Sequence, residues 1–422
     1  MSNHQLGLEY AKHQDQNDVL ASYRSRFHIP KDNQGKELIY MTGNSLGLQP
    51  KSTKDYINQE LEDWARLGVE GHINAKHPWL HYHEFLTENM ANVVGAKPIE
   101  VVVMNTLTAN LHLMMVSFYK PTSKRYKILI EADAFPSDKY AVESQLRHHG
   151  FDPKDGLVLW KARKGEELAN YDDLEAILEA QGHEIALVMI GGVNYYTGQF
   201  FDLKRITQLG HKYGCMVGFD CAHGAGNVEL NLHDSGADFA VWCTYKYLNS
   251  GPGSLGGCFV HERHAYNKNL NRFAGWWSHN KETRFKMRDE FDQLPGAEGW
   301  QLSNPPILSM AAIRASLDMF AEVGMEKLTE KSKHLTSYFE FLINDLNNKD
   351  IKVITPSNPN ERGCQLSIQV KNADKTLHHQ LTKAGIISDW REPDVIRCAP
   401  VPLYNSYKDV YKLVEKLKEV LT

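Results

Sequence analysis

The stretch CMVGFDCAHGAGN, residues 215–227, decides the architecture. Its first five residues form a short apolar run that ends on an acid, Asp220. A continuous apolar run of this length is the pattern of a strand buried on both faces of a sheet. A carboxylate at the end of such a run is costly unless a cation or a hydrogen-bond donor meets it. In sheets of this kind ligands bind beyond the carboxyl ends of the strands. The stretch therefore indicates both a fold class and the place where its chemistry should be found.

Working outward, similar runs occur at 101–104, 127–131, 157–160, 185–190, 239–243 and 257–261. Helical patterning separates several of them, opening at Thr108, after Pro136, near Tyr171 and over 203–213. Apolar strands alternating with amphipathic helices predict an α/β domain with a mostly parallel sheet covered on both faces. Upstream, 54–67 and 80–94 read as helices. Downstream, 306–347 reads as a long helical stretch broken at Gly324. The rhythm then changes to strands at 351–355, 365–370, 386–390 and 395–399, with helices at 377–384 and 406–421. The expected division is an N-terminal arm over 1–50 that joins the small domain, a large domain over 51–305, a connector over 306–347 and a small α+β domain over 348–422.

The chain has 422 residues, 42% of them hydrophobic and 23% charged, with a formal net charge of −5. Such a chain can bury a large core, and nothing in its balance points to nucleic acid or an anionic membrane. No stretch reaches the ~18 apolar residues that span a bilayer. The N-terminus lacks the charged-then-apolar pattern of a secretory signal, so a cytoplasmic location is expected. The six cysteines form no CxxC pair and read as reduced core residues.

Lys246 is as unexpected as Asp220. It follows the apolar run FAVWC in CTYKYLNSGPG, residues 243–253, between Tyr245 and Tyr247. A lysine held in an apolar cleft suits imine chemistry. His223 lies three residues after Asp220. Thr108, at an expected helix start, offers a hydroxyl and free backbone N–H groups to an anion. A lysine, a carboxylate and an anion cradle complement pyridoxal phosphate, which needs a partner for its aldehyde, its ring nitrogen and its phosphate.

The segments that carry a resemblance are TGNSLGLQP (42–50), NTLTANLHLM (105–114), FPSD (135–138), NYYTGQ (194–199), FDCAHGAGN (219–227), CTYKYLNSGPG (243–253), GWW (275–277), TRFKM (283–287), LSNPPIL (302–308) and IRCAPVPLYNS (396–406). In this order, over about residues 40–410, the chain resembles the class-V branch of fold-type-I pyridoxal-phosphate enzymes and, within it, the kynureninase family. The resemblance implies a seven-stranded sheet and two catalytic residues: Lys246 as cofactor-bearing lysine and proton shuttle, and Asp220 at the pyridine nitrogen. It places Phe135 on the ring face, with Pro136, Ser137 and Asp138 in the same segment and His223 close by. Leu107, Thr108, Tyr245 and Trp276 would surround the phosphate. Arg397 would hold the substrate α-carboxylate, and His72, Ser303 and Asn304 would line its aromatic end, with Asn304 also near the cofactor. A homodimer with shared sites is implied, Trp276 and Asn304 coming from the neighbouring subunit. One departure is Gly191, where the family often carries a polar side chain; its backbone N–H, or the hydroxyl of Tyr195 or Tyr196, would have to substitute.

Other motifs read as bland. Gly251-x-Gly253-x-x-Gly256 follows the lysine instead of a first strand, so it reads as a turn rather than a dinucleotide fingerprint. His261-Glu262-Arg263-His264 has the wrong spacing for a zinc helix, and no metal is expected. The implied reaction is hydrolytic Cβ–Cγ cleavage of L-kynurenine or L-3-hydroxykynurenine to anthranilate or 3-hydroxyanthranilate and L-alanine. The polar groups expected around the aromatic end favour the hydroxylated substrate, because an unmet buried polar group costs about 1–3 kcal/mol. The alternatives are another class-V activity, an aminotransferase or a desulfurase/β-lyase, and a non-catalytic cofactor-binding protein. A desulfurase would need Cys364 on a mobile loop, but RGCQLSIQV (362–370) reads as the start of a strand.

Overall fold

The apolar runs pair into a single seven-stranded sheet in the computed structural model, which describes residues 4–421. Its strands are β1 (Val101–Met104), β2 (Lys127–Glu131), β3 (Leu157–Trp160), β4 (Ile185–Gly191), β5 (Met216–Asp220), β6 (Phe239–Cys243) and β7 (Gly256–Val260). The spatial order is β1-β7-β6-β5-β4-β2-β3. Every neighbouring pair from β6 to β3 is parallel, and β7 runs antiparallel to both β6 and β1. The expected mostly parallel sheet is thus present.

Strand alternation explains why the runs are apolar throughout. Val101 and Val103 enter one core, Val102 and Met104 the other, so neither face of β1 tolerates a polar residue. Two glycines make room for aromatic rings across the sheet. A Cβ at Gly218 would lie 2.1 Å from the Phe239 ring, and one at Gly257 would lie 2.2 Å from the Trp242 indole. Each glycine is the register partner of that aromatic residue.

Helices Ile307–Val323 and Met325–Asp345 meet at Gly324, whose φ of +80° ends the first helix. A four-stranded antiparallel sheet follows, ordered Asp389–Arg391, Val395–Cys398, Leu366–Val370 and Ile351–Val353. It has its own core, in which Leu335, Phe339, Leu366, Ile396 and Leu413 pack together. The terminal helix Tyr407–Leu421 closes that core with Val410, Leu413, Val414 and Leu417.

Two expected elements differ. The run 386–390 is not one strand: Ile386–Ile387 pairs in parallel with Ile39–Tyr40, whereas Asp389–Arg391 pairs antiparallel with Val395–Cys398. The chain changes partner at Ser388. The expected helix over 80–94 begins only at Glu84, after a 3-10 turn at Trp79–His81. The cause is Glu60, which accepts from Trp79 Nε1 at 3.0 Å and Tyr82 Oη at 2.9 Å and so holds this piece as a tight turn. The N-terminal arm spans both regions. The Met41 N–H donates to the Ile387 carbonyl, Met41 accepts from the Ala399 N–H, and the Gly47 N–H donates to the Tyr245 carbonyl.

Candidate active site

The carboxyl ends of β1, β2, β4, β5 and β6 converge on a cavity of about 150 Å³. From the end of β5 and the turn after it, it receives Asp220, Ala222 and His223; from the segment after β6, Tyr245 and Lys246; from the end of β4 and just beyond, Gly191 and Val193. Leu107 and Thr108 stand in the first turn of helix Leu107–Phe118, and Phe135, Ser137 and Asp138 at the start of helix Pro136–His148. These two helix starts face each other, with Thr108 Oγ1 3.2 Å from Ser137 Oγ. Paired hydroxyls at two facing helix N-termini form an anion cradle.

Lys246 Nζ lies 5.9 Å from the centroid of the Phe135 ring, which also meets Tyr195 edge-on. Asp220 is buried and accepts from the Ala222 N–H at 2.7 Å. Burial pushes the Asp138 and Asp220 carboxyls up, and the charge of Asp220 raises Asp138 further. Two acids placed this close oppose each other's ionisation. Burial, followed by the Lys246 ammonium, holds His223 well below the usual histidine range, so its ring is neutral. His223 Nδ1 and Asp138 Oδ1 are buried without a hydrogen-bond partner among the described residues. Unsatisfied polar atoms beside a lysine, a carboxylate and a phosphate-sized cradle are the donor set that pyridoxal phosphate requires.

The glycines after Lys246 behave as a turn: Gly251 and Gly253 both have positive φ, at 95° and 72°, and the chain then enters β7. The arm supports this loop from beneath, since a Cβ on Gly47 would lie 2.2 Å from the Lys246 carbonyl oxygen. Gly191 differs from expectation. Its N–H does not face the cavity freely but donates to both carboxyl oxygens of Glu131, at 3.0 and 3.1 Å.

Arg397 is buried one residue away from the cavity wall. Its Nη1 donates to the Tyr195 carbonyl at 2.6 Å, its Nη2 pairs with Asp389, and its guanidinium lies 5.7 Å from the Tyr195 ring. The remaining expected residues stand outside the lining in a single chain. His72 packs edge-on against Trp79, 5.4 Å between centroids, and Trp276 is 44% exposed against Phe285. Ser303, Asn304 and Pro136 are exposed, Pro136 as the first residue of its helix. Glu131 and Val193 line the cavity without having been expected. Glu131 carried a readable signal: it closes the apolar run KILIE just as Asp220 closes its own.

All six cysteines are buried and unpaired. Burial pushes the Cys364 thiol up to about 12, and its N–H is bonded to Asn227, so it is not a mobile nucleophile.

The family model "Kynureninase C-terminal domain" matches residues 328–417. A kynureninase of Myxococcus xanthus is 58% identical over 97% of this chain and 96% of its own length. One of Nematostella vectensis is 47% identical, covering 98% of this chain and 93% of its own. Among solved structures, a cysteine desulfurase of Escherichia coli matches with a TM-score of 0.77 at 16% identity, over 95% of this chain and 98% of that one. A C-DES variant with glycine covalently linked to its cofactor matches with a TM-score of 0.77 at 15% identity, over 90% and 96%. These distant structures establish the fold, which is that of the class-V branch of fold-type-I pyridoxal-phosphate enzymes. Within that class, the near full-length relatives settle the placement: the chain belongs to the kynureninase family.

Proposed function

We propose that the chain hydrolyses the Cβ–Cγ bond of L-kynurenine or L-3-hydroxykynurenine, releasing anthranilate or 3-hydroxyanthranilate and L-alanine, with pyridoxal phosphate as cofactor. The observation that carries the reading is Lys246 facing Phe135 in a cavity that Asp220 also lines. Bound pyridoxal phosphate supplies an electron sink for the substrate's α-carbon. Lys246 Nζ would hold the cofactor's aldehyde end and would serve as the base that moves the substrate's α-proton. Asp220 keeps the ring nitrogen protonated. Phe135 would cover one ring face, and His223, which lines the same cavity, would lie close to the ring. The first-turn amides at Leu107 and Thr108, with Ser137 and Tyr245, bind the phosphate.

Arg397 holds the α-carboxylate with its planar fork. It reaches the site from the small domain, over residues 348–422, which the helices within 306–347 join to the large domain over 51–305; residues 1–50 form the arm. His72, Ser303 and Asn304 meet the aromatic end, and Trp276 and Asn304 act across a homodimer interface, which accounts for their distance from the cavity in one chain. No helix among the described residues is long and apolar enough to cross a membrane, and a cytoplasmic place in tryptophan degradation or pyridine-nucleotide synthesis fits the substrate. The desulfurase reading is disfavoured by the buried Cys364.

The test is a fluorescence assay of aromatic product with both kynurenines on wild type and Lys246→Ala. Product release undiminished in the variant would sink the mechanism. A higher kcat/KM for the unsubstituted substrate would overturn the preference for 3-hydroxykynurenine.

A further inference from the structure

Strands β2 and β4 stop pairing before they end. Their last register partners are Leu129 and Val188, although β2 continues to Glu131 and β4 to Gly191. The Gly191 amide on that edge therefore has no backbone acceptor, and an unmet buried amide is costly. The Glu131 side chain supplies the missing acceptor with both oxygens. On its other edge, β4 is bonded to the residue that matters most: Gly191 is the register partner of Asp220, and the next N–H, of Gly192, donates to the Asp220 carbonyl at 2.7 Å. A continuous line thus runs from the Glu131 carboxyl through two glycines to the backbone of Asp220. Glycines have no side chain with which to stiffen this line, and a Cβ at Gly191 would lie 2.7 Å from Glu131 Oε1, so the carboxyl occupies the space a side chain would take.

We propose that Glu131 is a positioning residue for Asp220, clamping the end of β4 so that the Asp220 carboxylate keeps its place against the cofactor's ring nitrogen. The inference rests on the cofactor reading above. The charged groups facing Glu131 are Asp220 on β5, Asp133 just beyond β2, and Asp138 on the helix that follows. Burial, opposed in part by the Gly191 amide and joined by Asp220 and Asp133, pushes Glu131 up to about 7. A neutral acid still accepts through its carbonyl oxygen, so the clamp survives protonation without adding a charge beside Asp220.

The experiment compares holoenzyme carrying Glu131→Gln, Glu131→Leu and Glu131→Asp. Glutamine keeps an acceptor at the same reach, leucine removes it, and aspartate draws it back by one methylene. The readouts are the pH midpoint of the cofactor's visible absorption band and the dissociation constant for pyridoxal phosphate added to apoprotein. Leucine and aspartate are expected to move the midpoint and weaken cofactor binding about tenfold, with glutamine within about threefold of wild type. If leucine does not fold, aspartate carries the same comparison. Unchanged midpoint and affinity in the leucine or aspartate variant would overturn the proposal, as would a glutamine variant impaired as severely as they are. Lys246→Ala separates the two readings: a cofactor band retained unchanged there would defeat the cofactor assignment itself, whatever the Glu131 variants do.

Discussion

Lys246, Asp220 and Glu131 stand at or just beyond the ends of strands locked into one mostly parallel sheet, whereas Arg397 reaches toward them from a separate four-stranded sheet, and His72, Ser303 and Asn304 sit outside the cavity on a short helix and a loop. The residues proposed for the cofactor gather mostly around one cavity of a single chain, whereas those proposed for the substrate's aromatic end stand outside it. Groups that must hold a reacting centre to fractions of an ångström belong on a rigid frame, and groups that select among substrates can be supplied by movable pieces. Arg397, proposed to hold the substrate carboxylate, stands on such a piece: its Nη1 and Nη2 meet the Tyr195 carbonyl and Asp389, while its Nε has no partner among the described residues.

The comparison breaks most decisively at Lys246. Lys246→Ala should lower kcat for aromatic product release by at least about 10³-fold, because the proton-moving group is removed. Asp220→Ala should follow with about a 10²-fold loss, measured as kcat/KM. Arg397→Lys should act differently, raising KM about tenfold with a smaller change in kcat, since a point charge replaces a bidentate fork in substrate binding. Mixing Lys246→Ala with Asn304→Ala protein tests whether the substrate end is shared. Random reassociation should restore about a quarter of the wild-type sites, and no recovery would place Asn304 in its own chain's site.

The smallest expected effect is on pH-dependent stability. His223 is held below its ordinary value of 6.5 in the fold. Below that pH the unfolded chain takes up a proton that the folded chain refuses, so stability present above about 6.5 is lost as pH falls. Melting temperatures between pH 5 and 8 should show this slope in wild type and a flatter one in His223→Gln.

What could be read in advance follows the same divide. Strands such as Lys127–Glu131 and Phe239–Cys243 were visible because burial on both faces forces uninterrupted apolar runs. Asp220 and Lys246 were visible as charges out of place at the ends of such runs. The split at Ser388 was hidden because a run of β-forming residues does not reveal that two partners divide it. The late start of helix Glu84–Val94 was hidden because its cause, Glu60, lies far along the chain from the turn that it captures. Glu131 was legible by the same rule that exposed Asp220, but its link to Gly191 depends on where the β2–β4 ladder ends, which composition does not encode.

The N-terminal arm gives these two halves a mechanical connection. Between residues 39 and 47 it is hydrogen-bonded at one end to Gly385, Ile387 and Ala399, and at the other to the carbonyl immediately preceding Lys246. Any rotation of the C-terminal sheet must either carry this strip along or break its bonds. The arm therefore works as a tie rod: the sheet that carries Arg397 and the loop that carries Lys246 are geared through one strip of chain, packed at Gly47 against the Lys246 backbone.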